Sequence, residues 1–432
     1  MRPNRNNGIA RKGVRRTAIA RMIAFSAMIA LLCAGPIETK TISCCFVISP
    51  VRWLARHQNH DGSWGDPESP PAERVRLTGM SLLNFASAGY THLSRDVFDG
   101  TCYGTVVKEG LLYLIKAQGE SGCLAPGDEG GEADLWGTLA LAWMYELTGS
   151  PRLGEPAAKA AVHLAALQET WWGTICSEPR LAALGAFVLA IVEKGRLVDP
   201  ESLLLNENGA IQTLVEMDAR GELDPTTAAI ARIAARVRGL DCALLSQDAC
   251  AARLHTAVTA DGTRDPHLLF WGSTALYLHG GPQGPLWYGR SEDLIKRPLL
   301  DTLRNEPDDF HLYGSWCQAR EDLDRQDTTH PGIPEAKANA IRNLIGRWES
   351  DRWTDREGAS LELTRLGPDA MPFLEQATNQ PNPEAQARAR QAIQMICRPR
   401  EDPAHIETTC LNSLSLMLYY RYENSLGVQL CK

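Results

Sequence analysis

Among its 12 cysteines the sequence has no C-x-x-C pair, and Cys44 and Cys45 are adjacent. It also lacks H-E-x-x-H, G-x-S-x-G, a phosphate-binding glycine loop and a dinucleotide fingerprint. The first absence excludes the usual structural zinc spacings. The others exclude zincins, nucleophile-elbow hydrolases and nucleotide-binding folds of the common kinds. An excess of positive charge is missing too: the net charge is −8, which argues against a general nucleic-acid binder. Proline and glycine are spread as punctuation, so no linker stands out. Most cysteines read as small buried hydrophobes, and spacing alone does not order them into disulfides. What remains is an ordinary globular composition, 44% apolar and 22% charged, in 432 residues. That length accommodates one large domain or two to three smaller ones.

The N-terminus has a separate character. Seven basic residues (Arg2, Arg5, Arg11, Lys12, Arg15, Arg16, Arg21) precede the first acid, Glu38. An uncharged, mostly apolar run from Met22 to Ala34 follows and ends near Gly35-Pro36. A basic region, a short apolar core and small residues are the form of a secretory signal. The run is short for a membrane span, which takes about 20 residues. Export of the chain is expected, with residues 1–35 as a signal peptide or membrane anchor. An arginine-rich organellar transit peptide is the alternative.

The next stretch, Val51 to Gly65, organises the remainder. An amphipathic helix end runs into Gln58, then a polar turn with Asp61-Gly62, then Trp64-Gly65. Asp-Gly is strong turn chemistry. A glutamine just past a helix can bond backbone groups of a neighbouring helix end. The indole of Trp64 can cover that end while its N–H finds a partner. The motif therefore reads as a clamp between helix hairpins, with Gln58, Gly62 and Trp64 as its parts.

It recurs. Leu111 to Gln118 precedes Gly122-Cys123-Leu124, and Val162 to Gln168 precedes Trp171-Trp172-Gly173. Leu299 to Arg304 precedes Gly314-Ser315-Trp316, with arginine in the glutamine slot. Gln118, Gln168, Trp172 and Trp316 are thus further clamp residues. Between the clamps lie segments apolar nearly all round: 77–90, 135–145, 181–192, 268–278 and 410–420, with 226–235 a more polar version. Helices apolar on every side are buried on every side. Two helix types alternate. Outer helices are predicted near 50–58, 102–118, 154–168, 204–218, 242–255 and 289–304. Inner helices are predicted near 75–90, 134–147, 179–194, 224–237, 266–279 and 405–422. Six such hairpins can close into an α/α toroid spanning 50–320 plus 404–425, with the last inner helix beside the first pair. An open solenoid competes, but it does not need uniformly buried inner helices.

The clamp resembles the QW repeat of the terpene cyclase and protein prenyltransferase superfamily. More closely, the chain is similar to bacterial prenyltransferase and squalene oxidase repeat proteins. The stretches that carry this are Trp53 to Gln58 with Asp61 to Trp64, Leu77 to Leu83 with Gly89 to His92, Thr138 to Ala142 with Leu147 to Gly149, Trp271 to Leu276 with Gly280-Gly281, and Leu416 to Tyr422. The resemblance implies an all-α toroid. Protonating cyclases of that superfamily carry a D-x-D-D cluster; the nearest stretch here is Glu132-Ala133-Asp134, so Glu132 and Asp134 are the catalytic candidates. Protein prenyltransferases hold zinc with Asp, Cys and His; the one adjacent pair here, Asp241-Cys242, has no histidine placed after it. The thioester motif of complement-like toroids is absent, since Gly122-Cys123 is followed by Leu124. No metal or other cofactor is expected.

Residues 325–400 read as an insertion before the last inner helix. Helices are predicted over 334–348, 355–366, 370–377 and 384–397, separated by Gly367-Pro368 and Pro381-Asn382-Pro383. The pattern resembles a single HEAT-like repeat, which is usually too small to bury its face alone and is expected to lean on the toroid. An independent helical bundle is the alternative.

Other candidates are weaker. Asp308-Asp309-Phe310-His311 reads as a solvated turn. Glu132 and Asp134 also suit a helix N-terminus, where the dipole favours acids. Trp136, Trp143 and Trp271 are core residues, or cavity lining for an apolar or cationic ligand if the ring encloses space. Three function classes follow: a non-catalytic exported toroid for binding or scaffolding, a terpenoid-type enzyme with a divergent acid, and an (α/α)6 carbohydrate-active enzyme with paired carboxylates. The missing motifs favour the first, with a protein or an apolar ligand as partner, no nucleic acid, and membrane contact only through the N-terminus.

Overall fold

The computed structural model describes residues 49–98, 101–128, 131–197, 207–240, 248–258, 265–279, 297–303, 315–316, 334–396 and 403–423. Residues 1–35, expected to form a signal or anchor, Asp241-Cys242, Arg304, residues 308–311 and Gly314 lie outside them. By contacts the chain divides into two units. The first holds residues up to Asn305, Leu312–Cys317 and the chain from Asp402. The second holds Glu306–His311 and Gln318–Glu401.

The protein is all-α. The only strands among the described residues are β1, Val97–Phe98, and β2, Thr101–Cys102, a two-residue antiparallel pair. In the first unit the helices are α1 (49–56), α2 (Pro71–Ser87), α3 (Tyr103–Ala117), α4 (Glu132–Thr148), α5 (Pro151–Gly173), α6 (Pro179–Lys194), α7 (Glu207–Arg220), α8 (Pro225–Arg238) and α9 (Asp248–Val258). A π-turn, Leu268–Gly272, leads into α10 (Ser273–His279), and α11 (Arg297–Thr302) follows. The second unit holds α12 (Glu335–Gly346), α13 (Trp353–Leu366), α14 (Met371–Ala377) and α15 (Pro383–Ile396); α16 (Pro403–Glu423) belongs to the first. No described helix is long and apolar enough to cross a membrane.

Local chemistry sets the helix limits. Proline stands in the first turn of α2, α5, α6 and α8, where its missing N–H costs nothing. Asp224 caps α8 by accepting from the Thr226 and Thr227 N–H groups at 3.0 and 3.1 Å. Gly149 and Gly239 end α4 and α8 in the left-handed conformation.

The segments apolar all round form α2, α4, α6, α8, the π-turn with α10, and α16, and among the described residues the central run of each is largely buried. These helices touch in chain order: α2 with α4, α4 with α6, α6 with α8, α8 with the π-turn and α10, and these with α16. The series closes on itself, because α16 also packs on α2. There Ser81 Oγ lies 3.6 Å from Cys410 Sγ, and the Trp53 and His405 rings are 4.7 Å apart. Small residues allow the approach: a Cβ on Gly79 would sit 2.6 Å from the carbonyl oxygen of Trp136.

The second unit has a hydrophobic cluster of its own, built from Ile341, Ile345, Trp348, Leu363 and Leu374 with alanines of α13 to α15. Trp348 is buried and its Nε1 donates to Ser360 Oγ at 3.0 Å.

Candidate functional site

The first clamp is built around its glutamine. Gln58 Nε2 donates to Gly62 O at 3.0 Å within the turn and to Val106 O of α3 at 2.8 Å. Trp64 Nε1 donates to Leu54 O of α1 at 2.8 Å, and the Trp64 backbone N–H donates to Thr78 Oγ1 of α2 at 3.1 Å. The second clamp repeats this. Gln118 Nε2 donates to Gly122 O at 3.1 Å and to Pro156 O of α5 at 3.0 Å, while the Leu124 N–H donates to Asp134 Oδ1 of α4 at 2.8 Å. In the last, Trp316 Nε1 donates to Leu299 O at 2.8 Å and its N–H to Thr409 Oγ1 at 3.2 Å.

The third clamp differs from the sequence expectation. Gln168 lies inside α5, and its Nε2 donates to Ala165 O of the same helix at 2.7 Å. The helix runs on to Gly173, because residues 169–172 contain no turn former, unlike Asp61-Gly62 or Ser121-Gly122. Trp171 is the buried indole, seated on Gly185 of α6, and Trp172 is half-buried.

The two candidate acids separate. Residues two apart on a helix point about 200° from each other. Glu132 is part-exposed and pairs with Arg180 Nε at 3.2 Å. Asp134 is fully buried; besides the Leu124 N–H, its Oδ2 lies 3.3 Å from His163 Nε2 of α5. The aromatic candidates also divide. Trp136 of α4 and Trp271 of the π-turn are each 2% exposed and pack on each other with centroids 5.7 Å apart. Phe187 of α6 meets Trp271 at 5.4 Å. Trp143 is half-buried at the core margin.

The N-terminal ends of α2, α4, α6 and α8 surround a depression of about 880 Å³, lined by Arg76, Glu132, Arg180 and Asp224 among others. A chain of charged and polar groups crosses these helix starts. Arg76 Nη1 meets Glu407 Oε1 at 2.6 Å, and His267 Nε2 meets the same oxygen at 2.8 Å. Arg180 Nη2 contacts His267 Nδ1 at 3.3 Å. Because arginine only donates, Nδ1 accepts and the imidazole proton sits on Nε2, aimed at Glu407. Burial pushes the Glu407 carboxyl up, but the His267 hydrogen bond and the Arg76 guanidinium outweigh it and hold it at about 2.

That depression has a consequence for stability. The folded-state value lies below the ordinary 4.5, so the contribution of Glu407 is complete above about pH 4.5 and is lost as the pH falls towards 2. With screening at this part-open position, Glu407→Gln is expected to cost about 2 kcal/mol at pH 7. Urea melts at several pH values should show the gap between wild type and variant closing below pH 4.5.

The sequence reading missed Arg76, Arg180, His267 and Glu407. It also found no metal-ligand set, whereas the fold brings Cys123, Asp134 and His163 together with their ligand atoms within 4.8 Å of one another. The signal that could have found both groups is the repeat register: the first four stand at starts of inner helices, and the last three at equivalent clamp positions. Comparison of the chain with family models, with curated proteins and with solved structures finds no match.

Proposed function

We propose that the first unit is an α/α toroid of the QW-repeat kind, exported or membrane-anchored through its N-terminus, that works as a binding or scaffolding module and not as an enzyme. The closed series of inner-helix contacts and the repeated clamp geometry support the toroid. The basic and apolar N-terminal run supports export. The observation that carries the non-catalytic reading is the Trp136–Trp271 contact. In the proposed ring α4 and the π-turn would stand opposite each other, and the meeting of their two indoles at 5.7 Å supports a filled middle where a cyclase would hold a polyprene.

The acids agree with this reading. Alkene protonation needs a strong acid held in a dry pocket by neighbouring acids or hydrogen bonds. Asp134 instead bonds the second clamp between helices, and Glu132 pairs with arginine at the mouth. Two of the mouth carboxylates are also poor candidates for a glycosidase pair: Glu132 is tied to Arg180 and Asp224 caps α8. The charged mouth suits a polar segment of a partner better than an apolar ligand.

Incubation of the purified protein with squalene, farnesyl diphosphate or geranylgeranyl diphosphate should yield no cyclised or transferred product. A product that disappears in Asp134→Asn would overturn the reading. A photo-crosslinker at the exposed mouth residue Glu178 should capture a partner in the producing cell, and one at Val162, 56% exposed on α5, should not.

A further inference from the structure

The clamps offer an internal comparison, because side chains fall at equivalent positions: two positions in the clamps of Trp64, Leu124 and Trp316, and a third in the first two of these. The first position precedes the tryptophan slot: Ser63, Cys123 and Ser315. The second is the inner-helix side chain that accepts the slot's backbone N–H: Thr78, Asp134 and Thr409. The third lies on the outer helix that receives the clamp. In the first clamp that helix is α3, contacted at Val106 by the glutamine and at Glu109 by the turn glycine. In the second it is α5, contacted at Pro156 and Lys159 in the same spacing. The same register then puts Tyr113 in the first clamp opposite His163 in the second. Gly122 of the turn packs directly against the His163 side chain.

Serine, threonine and tyrosine therefore satisfy this geometry in the first clamp. In the second all three positions carry ligand types: a thiol, a carboxylate and an imidazole. Asp134 Oδ1 does for Leu124 what Thr78 does for Trp64, so the backbone bond does not require an acid. The acid adds a second oxygen, fully buried. That oxygen lies 3.3 Å from His163 Nε2, an atom that is itself buried and makes no aligned hydrogen bond. Cys123 is 3% exposed beside them.

We propose that Cys123, Asp134 and His163 form a metal site that takes a divalent cation of borderline softness, best matched by Zn(II). A thiolate, an imidazole and one carboxylate oxygen are the donor set of zinc, whereas calcium and magnesium take oxygen donors. A water completes the tetrahedral shell. The positions are supported from behind: the Leu124 N–H orients the carboxylate, and the Gly119 N–H holds the Cys123 carbonyl at 2.8 Å. Binding deprotonates the thiol and places a dication among two anionic ligands. It would tie the second turn to α4 and α5.

The test uses the purified full chain, stripped with a chelator and titrated with Co(II). The expected result is a thiolate-to-cobalt charge-transfer band that saturates at one equivalent and is displaced by Zn(II). Zn(II) should also raise the Tm with concentration, as binding to the native state requires. Cys123→Ser should abolish the band. The triple change Cys123→Ser, Asp134→Thr, His163→Tyr installs the residues of the first clamp, so it should keep the helical circular dichroism while losing the Zn(II)-dependent rise in Tm. No band at one equivalent, or a band undiminished in Cys123→Ser, overturns the proposal. If the triple variant does not fold, Cys123→Ser alone decides, since serine already fills that position in two other clamps.

Discussion

Trp64→Ala is expected to destabilise the protein by about 3–5 kcal/mol, the range for removing a fully buried indole. The side chain is 0% exposed. It rests on the bare backbone of Gly110 of α3, where a Cβ would come within 2.9 Å of the ring, and it faces Phe85 of α2 at 6.1 Å. Its Nε1 donates to the Leu54 carbonyl, so truncation also removes one of the two hydrogen bonds at the end of α1, the His57 N–H keeping the other at 3.1 Å. Three helices meet on this one side chain. Trp64→Phe separates the two contributions. It keeps most of the apolar area and drops the hydrogen bond, for an expected loss of about 1–2 kcal/mol. Urea denaturation of the three proteins measures both. A loss below about 1 kcal/mol in the alanine variant would show that the indole does not carry the clamp.

Gly62→Ala is the second large effect, at about 3–5 kcal/mol. Gly62 has φ +91°, a conformation that costs a side chain about 1–3 kcal/mol. A Cβ there would also sit 2.2 Å from the Glu109 carbonyl oxygen of α3, so the turn and the helix would have to part. Parting them stretches the Gln58 bond to Val106, which joins the same two elements. Gly127 is the control: its φ is +93°, and a Cβ would meet nothing within 4 Å. Gly127→Ala should therefore cost only the conformational share, about 1–2 kcal/mol. Equal losses at the two positions in thermal or urea melts would mean that the close approach of turn and helix contributes nothing.

Helix limits set by local chemistry are written in the residues themselves, although no boundary was assigned from them in the sequence. Pro71, Pro179 and Asp224-Pro225 mark helix starts and Gly149 and Gly239 mark helix ends, because these residues act through their own φ and their own hydrogen bonds. All-round apolarity identified the buried helices, since burial on every side leaves no polar face to keep. Gln168 shows the limit of the same logic. A glutamine after an apolar run looks like the end of a helix, yet nothing in 169–172 stops the helix, and the slot passed to Trp171 instead of Trp172.

The sequence by itself determined the all-α class and the apolar runs that form its buried helices, because both follow from periodicity within about one helix length. Only the tertiary structure decided which distant groups meet. Trp136 faces Trp271, Glu407 joins Arg76 and His267, and Cys123 and Asp134 find His163. Those meetings depend on how far each helix is rotated and slid against its neighbours. Close packing of side chains and bare glycines sets that rotation, and the spacing of residues along the chain carries it only indirectly, through the repeat register.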